Sequence, residues 1–134
     1  MSGPDASGTI IDEQGLIERY FRPLATAPGA FSLLDDAASY APPSGADLVL
    51  TKDGIAEGIH FLPCEDAGVI ARKALRVNLS DLAAKGATPV GYLVLLGLAD
   101  DWSEDWVARF AEGLASDQDL FGTTLYGGDT IRAG

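Results

Sequence analysis

Asp35, Asp36, Asp53, Asp81 and Asp129 are the residues of this 134-residue chain whose placement could do chemistry together. Each falls at an element end expected from the sequence, or on a helix face of small residues, and from such positions acids from distant parts of a fold can converge. Gathered without a cation, five carboxylates repel one another and stay partly protonated; with Mg²⁺ they become a hard oxygen cage able to hold polyphosphate. Oxygen ligands of this kind point to magnesium. The bland alternative is that each is a solvated or capping acid, the commoner fate of a single Asp. Gly127-Gly128-Asp129 adds a flexible backbone beside an acid, which suits close approach of phosphate oxygens to main-chain amides. His60, the single histidine, sits in Glu57-Gly58-Ile59-His60-Phe61; a lone histidine beside an aromatic is more often packed or partly exposed than a ligand. The chain has no GxxxxGK[ST], no GxGxxG and no kinase HRD or DFG set, so a nucleotide enzyme here is of another type.

The elements that must position these residues follow from periodicity and caps. Asn78 to Ala87 (NLSDLAAKGA) ends a helix that starts at an Asp66 N-cap, carries Val69, Ile70, Ala74, Leu75, Val77, Leu79 and Leu82, and stops at Gly86 with Pro89 beyond. Asn78 and Asp81 stand three apart and share a face of it. A short amphipathic helix is expected over 13–24, ended by Pro23 and Pro28, and the apolar run 31–34 closes at Asp35-Asp36. Residues 39–41 and 47–52 read as the strands of a hairpin around the loop 42–46. Val90 to Leu98 is nearly continuous apolar sequence, as expected of a strand covered on both faces. A second amphipathic helix is expected over 102–120, with Ser103 as N-cap and Trp106 and Phe110 as core. Asp100, Asp101, Glu104 and Asp105 read as its solvated start. A last strand, 123–126, runs into Gly127. Residues 1–12 read as a disordered lead, and 13–134 as one α+β domain with a mixed sheet and two main helices packed on it.

The 20 acids against 9 bases give a net charge of −11, which disfavours nucleic acid or an anionic membrane as partner, while 47% hydrophobic content fits one globular domain. Cys64 is the sole cysteine, so an intrachain disulfide and a cysteine-rich zinc site are excluded. Nothing reads as a signal peptide or a membrane span, and the cytoplasm is the expected location.

Together, LLDDAA (33–38), LTKDGIAEGIHF (50–61), ARKALRVNLSDLAAKGATP (71–89) and YGGDT (126–130) resemble thiamine-monophosphate kinase, within the aminoimidazole ribonucleotide synthetase superfamily. The likeness runs in order from about Gly15 onward. It implies an N-terminal-domain fold of the aminoimidazole ribonucleotide synthetase type whose sheet pairs across a homodimer. It also implies transfer of the γ-phosphoryl group of ATP onto thiamine monophosphate, giving thiamine diphosphate. On the matching positions, Asp36, Thr51, Asp53, Asp81 and Asp129 are implied magnesium ligands, with Asp35 the adjacent candidate. Gly128 and Asp129 are implied at ATP, and His60 at thiamine phosphate. The acceptor phosphate is already an anionic nucleophile, so no protein general base is required. The chain departs from the family at Leu33-Leu34, where glycine is usual, and at Lys52, where threonine is usual. The family continues into a second α/β domain, so the expectation is an N-terminal domain with the C-terminal domain absent and with weak or no activity by itself. The alternative is a non-catalytic dimerisation and Mg-nucleotide-binding module.

Overall fold

The computed structural model describes residues 2–4 and 10–133. Its order is β1 (Ser2–Pro4), β2 (Ile10–Asp12), α1 (Glu13–Leu16), α2 (Ala67–Ala84), β3 (Gly91–Leu98), α3 (Glu104–Phe121) and β4 (Thr124–Arg132). β3, α3 and β4 form a strand–helix–strand unit in which the two strands pair in parallel, and α2 packs against α3. β1 and β2 are a separate antiparallel pair.

Both long helices begin on the expected caps, and α2 stops at the expected glycine. Asp66 accepts the Val69 N–H at 3.2 Å, and beyond Ala84 the Ala87 N–H returns to the Leu82 carbonyl at 3.0 Å with Gly86 left-handed. Ser103 accepts the Trp106 N–H at 3.1 Å, and the left-handed Gly122 closes α3. Ile70, Ala71 and Leu75 of α2 and Val107, Phe110, Ala111 and Leu114 of α3 share the core with Leu96, Leu98 and Leu125 of the strands. Trp106 stacks on Phe110 at 5.3 Å, as core aromatics do. The helices come very close at Gly113, where a Cβ would stand 2.5 Å from the Gly68 carbonyl oxygen. A buried Asp117 ties them further, taking two hydrogen bonds from Arg76 at 2.9 and 2.8 Å. Gln118 joins three segments: its Oε1 accepts from the Tyr92 hydroxyl at 2.7 Å and the Leu125 N–H at 3.1 Å, and its Nε2 donates to the Leu24 carbonyl at 3.2 Å.

Several expectations are corrected. The sheet under the helices is parallel and two-stranded, not mixed. No hairpin forms over 39–52; that stretch is extended, irregular and exposed, with Leu50 at 87%. Its ends are tied elsewhere: the Ser39 N–H donates to the Gly29 carbonyl at 2.8 Å, and the Thr51 hydroxyl donates to Asp81 of α2 at 3.4 Å. The last strand does not stop at Tyr126 but continues to Arg132, because Tyr126 is bulged out between Leu125, opposite Tyr92, and Gly127, opposite Leu93. β3 is covered on one face within this chain: Leu96 and Leu98 point inward, whereas Leu93 and Leu95 are 70% and 67% exposed. Glu104 is no solvated helix start. It is 3% exposed and accepts hydrogen bonds from Arg19 and the Tyr20 hydroxyl, so it anchors the N-terminal helix to α3. That first helix is broken up: α1 widens into a π-helical turn over Ile17–Phe21 and tightens into a 3₁₀ turn over Arg22–Leu24, where Pro23 has no N–H to give. Within the stretch read as a disordered lead, residues 2–4 and 10–12 pair as strands, and residues 1 and 5–9 lie outside the described residues.

Candidate functional site

The 51–61 segment runs antiparallel to α2 along its exposed face and is fastened to it by polar contacts. The Thr51 hydroxyl donates to Asp81 Oδ2 at 3.4 Å, near the C-terminal end of the helix. Toward the middle, Asn78 Oδ1 accepts the Asp53 N–H at 2.8 Å, and Asn78 Nδ2 donates to the Asp53 carbonyl at 3.1 Å and to the Ala74 carbonyl at 2.9 Å. Nearer the N-terminal end, Lys73 donates to the His60 carbonyl. The helical repeat makes this possible: positions 73, 78 and 81 lie within one arc of the α2 surface. Thr51 and Asp81 thereby meet, and the Asp53 backbone is held at Asn78; all three side chains are exposed and carry hydroxyl or carboxylate oxygens of the type a hard divalent cation takes.

His60 closes a tight turn. Its N–H donates to the Ala56 carbonyl at 2.8 Å and its Nδ1 accepts the Ala56 N–H at 2.9 Å, while Gly58 donates to the Phe61 carbonyl at 2.7 Å. With Nδ1 an acceptor, the imidazole proton sits on Nε2, and the exposed ring presents an N–H outward. Such a group suits an anionic oxygen.

Asp36, Gly128 and Asp129 stand elsewhere, on a cleft of about 590 Å³. Its floor is apolar, from Phe21, Leu96 and Leu125, and Asp35, Asp36 and the 127–130 backbone lie at its rim. Gly128 is required there: at φ +152° it sits against β3 with a Cβ position only 1.7 Å from the Val94 carbonyl oxygen, so no side chain fits. The Asp129 carboxylate accepts its neighbour's N–H, from Thr130, at 2.9 Å. The turn ahead of the paired acids is left-handed at Phe31, Ser32 and Leu33, with φ of 51°, 53° and 57°. Glycine adopts that conformation freely and leucine does not, which gives the departure at Leu33 a backbone cost.

The five implied magnesium ligands thus fall into two groups, Thr51, Asp53 and Asp81 on α2 and Asp36 and Asp129 on the cleft. Among the described residues, no three acidic, histidine or cysteine side chains gather into a set that could hold a metal ion. Their donor atoms are oxygens throughout, the type that hard divalent cations take. Neither Asn78 nor Lys73 is among the residues expected at the site; the face that Asn78 shares with Asp81 is the one signal in the sequence that points to the first.

Residues 34–134 match the family described as AIR synthase related protein, N-terminal domain. The chain is similar to thiamine-monophosphate kinase of Caulobacter vibrioides, with 49% identity over 116 residues, 86% of this chain and 33% of that protein. It is similar to the Escherichia coli thiamine-monophosphate kinase, with 38% identity over 90% of this chain and 37% of that one. Among solved structures, thiamine-monophosphate kinase from Stenotrophomonas maltophilia superimposes with a TM-score of 0.70 at 42% identity, covering 75% of this chain and 32% of that chain. AaThiL complexed with AMPPCP and TMP superimposes with a TM-score of 0.57 at 31% identity, covering 58% and 25%. The chain spans about a third of the length of the curated relatives it matches. With its two capped helices, its strand–helix–strand unit and a match over residues 34–134, the chain belongs to the AIR synthase related protein family, in its N-terminal domain.

Proposed function

We propose that the chain is the N-terminal part of a thiamine-monophosphate kinase, which transfers the γ-phosphoryl group of ATP to thiamine monophosphate and yields thiamine diphosphate and ADP. The observation that carries this reading is 49% identity with such a kinase across 86% of the chain. Asp36, Thr51, Asp53, Asp81 and Asp129 would hold Mg²⁺. When bound, magnesium supplies neutralisation of phosphate charge that an acidic protein cannot supply itself. The chain's own residues do the rest by position. The backbone at Gly128 lets phosphate oxygens of ATP approach the main chain beside Asp129, and the outward Nε2–H of His60 donates to the phosphate of thiamine monophosphate. No side chain removes a proton, because the attacking oxygen is already anionic.

The exposed Leu93 and Leu95 on the outer face of the sheet support a homodimer formed through that face. The described residues include no helix long and apolar enough to cross a membrane, and with the acidic net charge this supports a cytoplasmic protein without a nucleic-acid partner. The chain's share of its relatives' length favours a second reading for the 134 residues taken alone, a dimerisation and Mg-nucleotide-binding module without turnover.

The test is thiamine diphosphate formation from ATP and thiamine monophosphate, with Mg²⁺ or with a chelator, by the full-length protein and by the 134-residue chain. Mg-dependent product from the full-length protein is expected, and its absence rejects the kinase reading. Product from the 134-residue chain rejects the module reading. Asp81→Asn is expected to lower Mg-dependent affinity for an ATP analogue by about 10-fold or more while the fold is kept, as loss of a charged ligand to a divalent ion should. Unchanged affinity removes Asp81 from the ligand set.

A further inference from the structure

We propose that Asn78 is a positioning residue of the cation site: it holds the backbone of Asp53 and so sets Thr51 and Asp53 against Asp81. The inference rests on the reading above that these three residues bind magnesium. Asn78 uses both faces of its amide. Oδ1 takes the Asp53 N–H at 2.8 Å, and Nδ2 gives one proton to the Asp53 carbonyl at 3.1 Å and the other to the Ala74 carbonyl at 2.9 Å. The bond to Ala74, one turn back on α2, fixes the amide's rotation, so the two bonds to Asp53 are aimed before the segment arrives. A donor and an acceptor on separate atoms of one rigid plane match the N–H and C=O of a single residue, whereas a carboxylate only accepts and a hydroxyl carries both functions on one rotating oxygen.

The hold is needed because residues 51–54 have no other regular structure. They belong to no strand, and their side chains are exposed. The remaining polar contact of this stretch with α2, Thr51 to Asp81, is long at 3.4 Å and joins two of the implied ligands themselves. Without Asn78, the ordering of Thr51 and Asp53 falls on the cation, which then binds less tightly because it must pay that entropy.

Asn78→Ala suits an exposed-side helix position, since alanine is the better helix former. In the full-length protein, Mn²⁺ serves as an EPR-visible probe of the site, and hydrogen exchange reports on the peptide carrying residues 51–56. The expected result is Mn²⁺ affinity reduced about 10-fold and faster exchange in 51–56, with helical circular dichroism kept, as the loss of two ordering hydrogen bonds implies. Ser80→Ala, exposed on the same helix, should change neither reading. Affinity within about 2-fold of the unsubstituted protein overturns the proposal, as does unchanged exchange in 51–56, whatever the metal does. Failure of the unsubstituted protein to bind Mn²⁺ rejects the magnesium reading instead, and exchange still decides whether Asn78 holds Asp53.

Discussion

Buried carboxylates in this domain join elements: Asp117 ties α3 to α2, and Glu104 ties α3 to the N-terminal helix through one of its two oxygens. Asp117 is fully buried, and its charge is met by two parallel bonds from Arg76, whose outer part remains in water and lies over the Phe121 ring. The pair is lopsided: removing Arg76 strands a buried carboxylate, whereas removing Asp117 leaves a guanidinium that can turn to solvent. Tyr92 is the neutral counterpart. Burial, with the Asp117 carboxylate adding to it, holds its hydroxyl well above the ordinary tyrosine range. A phenol whose pKa is raised on folding adds stability that is complete below the unfolded value of about 10 and is lost as pH rises beyond it. Tyr92→Phe should therefore cost about 1 kcal/mol near neutral pH, the worth of its bond to Gln118. It should also flatten the alkaline fall of stability above about pH 10. Urea unfolding of both proteins across pH 7 to 11 measures this, and parallel alkaline limbs would show that Tyr92 is not the group responsible.

The element that organises the chain is α2, which works on both sides. Its inner side packs on α3 at glycine distance, and its outer side carries Lys73, Asn78 and Asp81 as a row of attachment points for 51–61. The inner contact sets how near the helices lie. Gly113→Ala gains helix propensity of about 1 kcal/mol. The new methyl would meet the Gly68 carbonyl oxygen at 2.5 Å and the Ala71 methyl at 3.0 Å, and overpacking of this kind costs about 1–3 kcal/mol. The net expectation is a protein less stable by about 1 kcal/mol, read as a lower urea midpoint at unchanged slope. A variant as stable as the parent would mean that the helices can move apart freely. Both ends of α2 and the start of α3 are legible in the sequence because Asp66, Gly86 and Ser103 act within a turn of their own positions. The hairpin expected over 39–52 does not form, for the opposite reason. Its apolar residues satisfy strand propensity, but a ladder needs a partner: the Ser39 N–H goes to the Gly29 carbonyl, and Leu48, Val49 and Leu50 remain exposed.

At the scale of the molecule, the helices cover one face of the β3–β4 pair and leave Leu93 and Leu95 on the other. The homodimer proposed above would bury them. Leu95→Glu, on the outer face and away from the core, is expected to move the protein from dimer to monomer in light scattering while its circular dichroism stays the same. A dimer that persists in this variant would place the interface elsewhere. Asp36 and Asp129 line the cleft, whereas Asp53 and Asp81, at the α2 face, do not.

What the sequence determined by itself was local or compositional. Caps and 3.6-residue periodicity marked the long helices, acidity argued against polyanionic partners, and the motif wording pointed to the family that residues 34–134 match. These signals act between neighbours in the chain, so they survive without a fold. The tertiary structure alone decided the rest: that Glu104 is buried under Arg19 and Tyr20, that β4 runs on past Gly128, and that Asn78 reaches 25 residues back to hold Asp53. Each depends on which distant backbone or side chain arrives within hydrogen-bonding reach, and that is set by how the helices pack on the sheet.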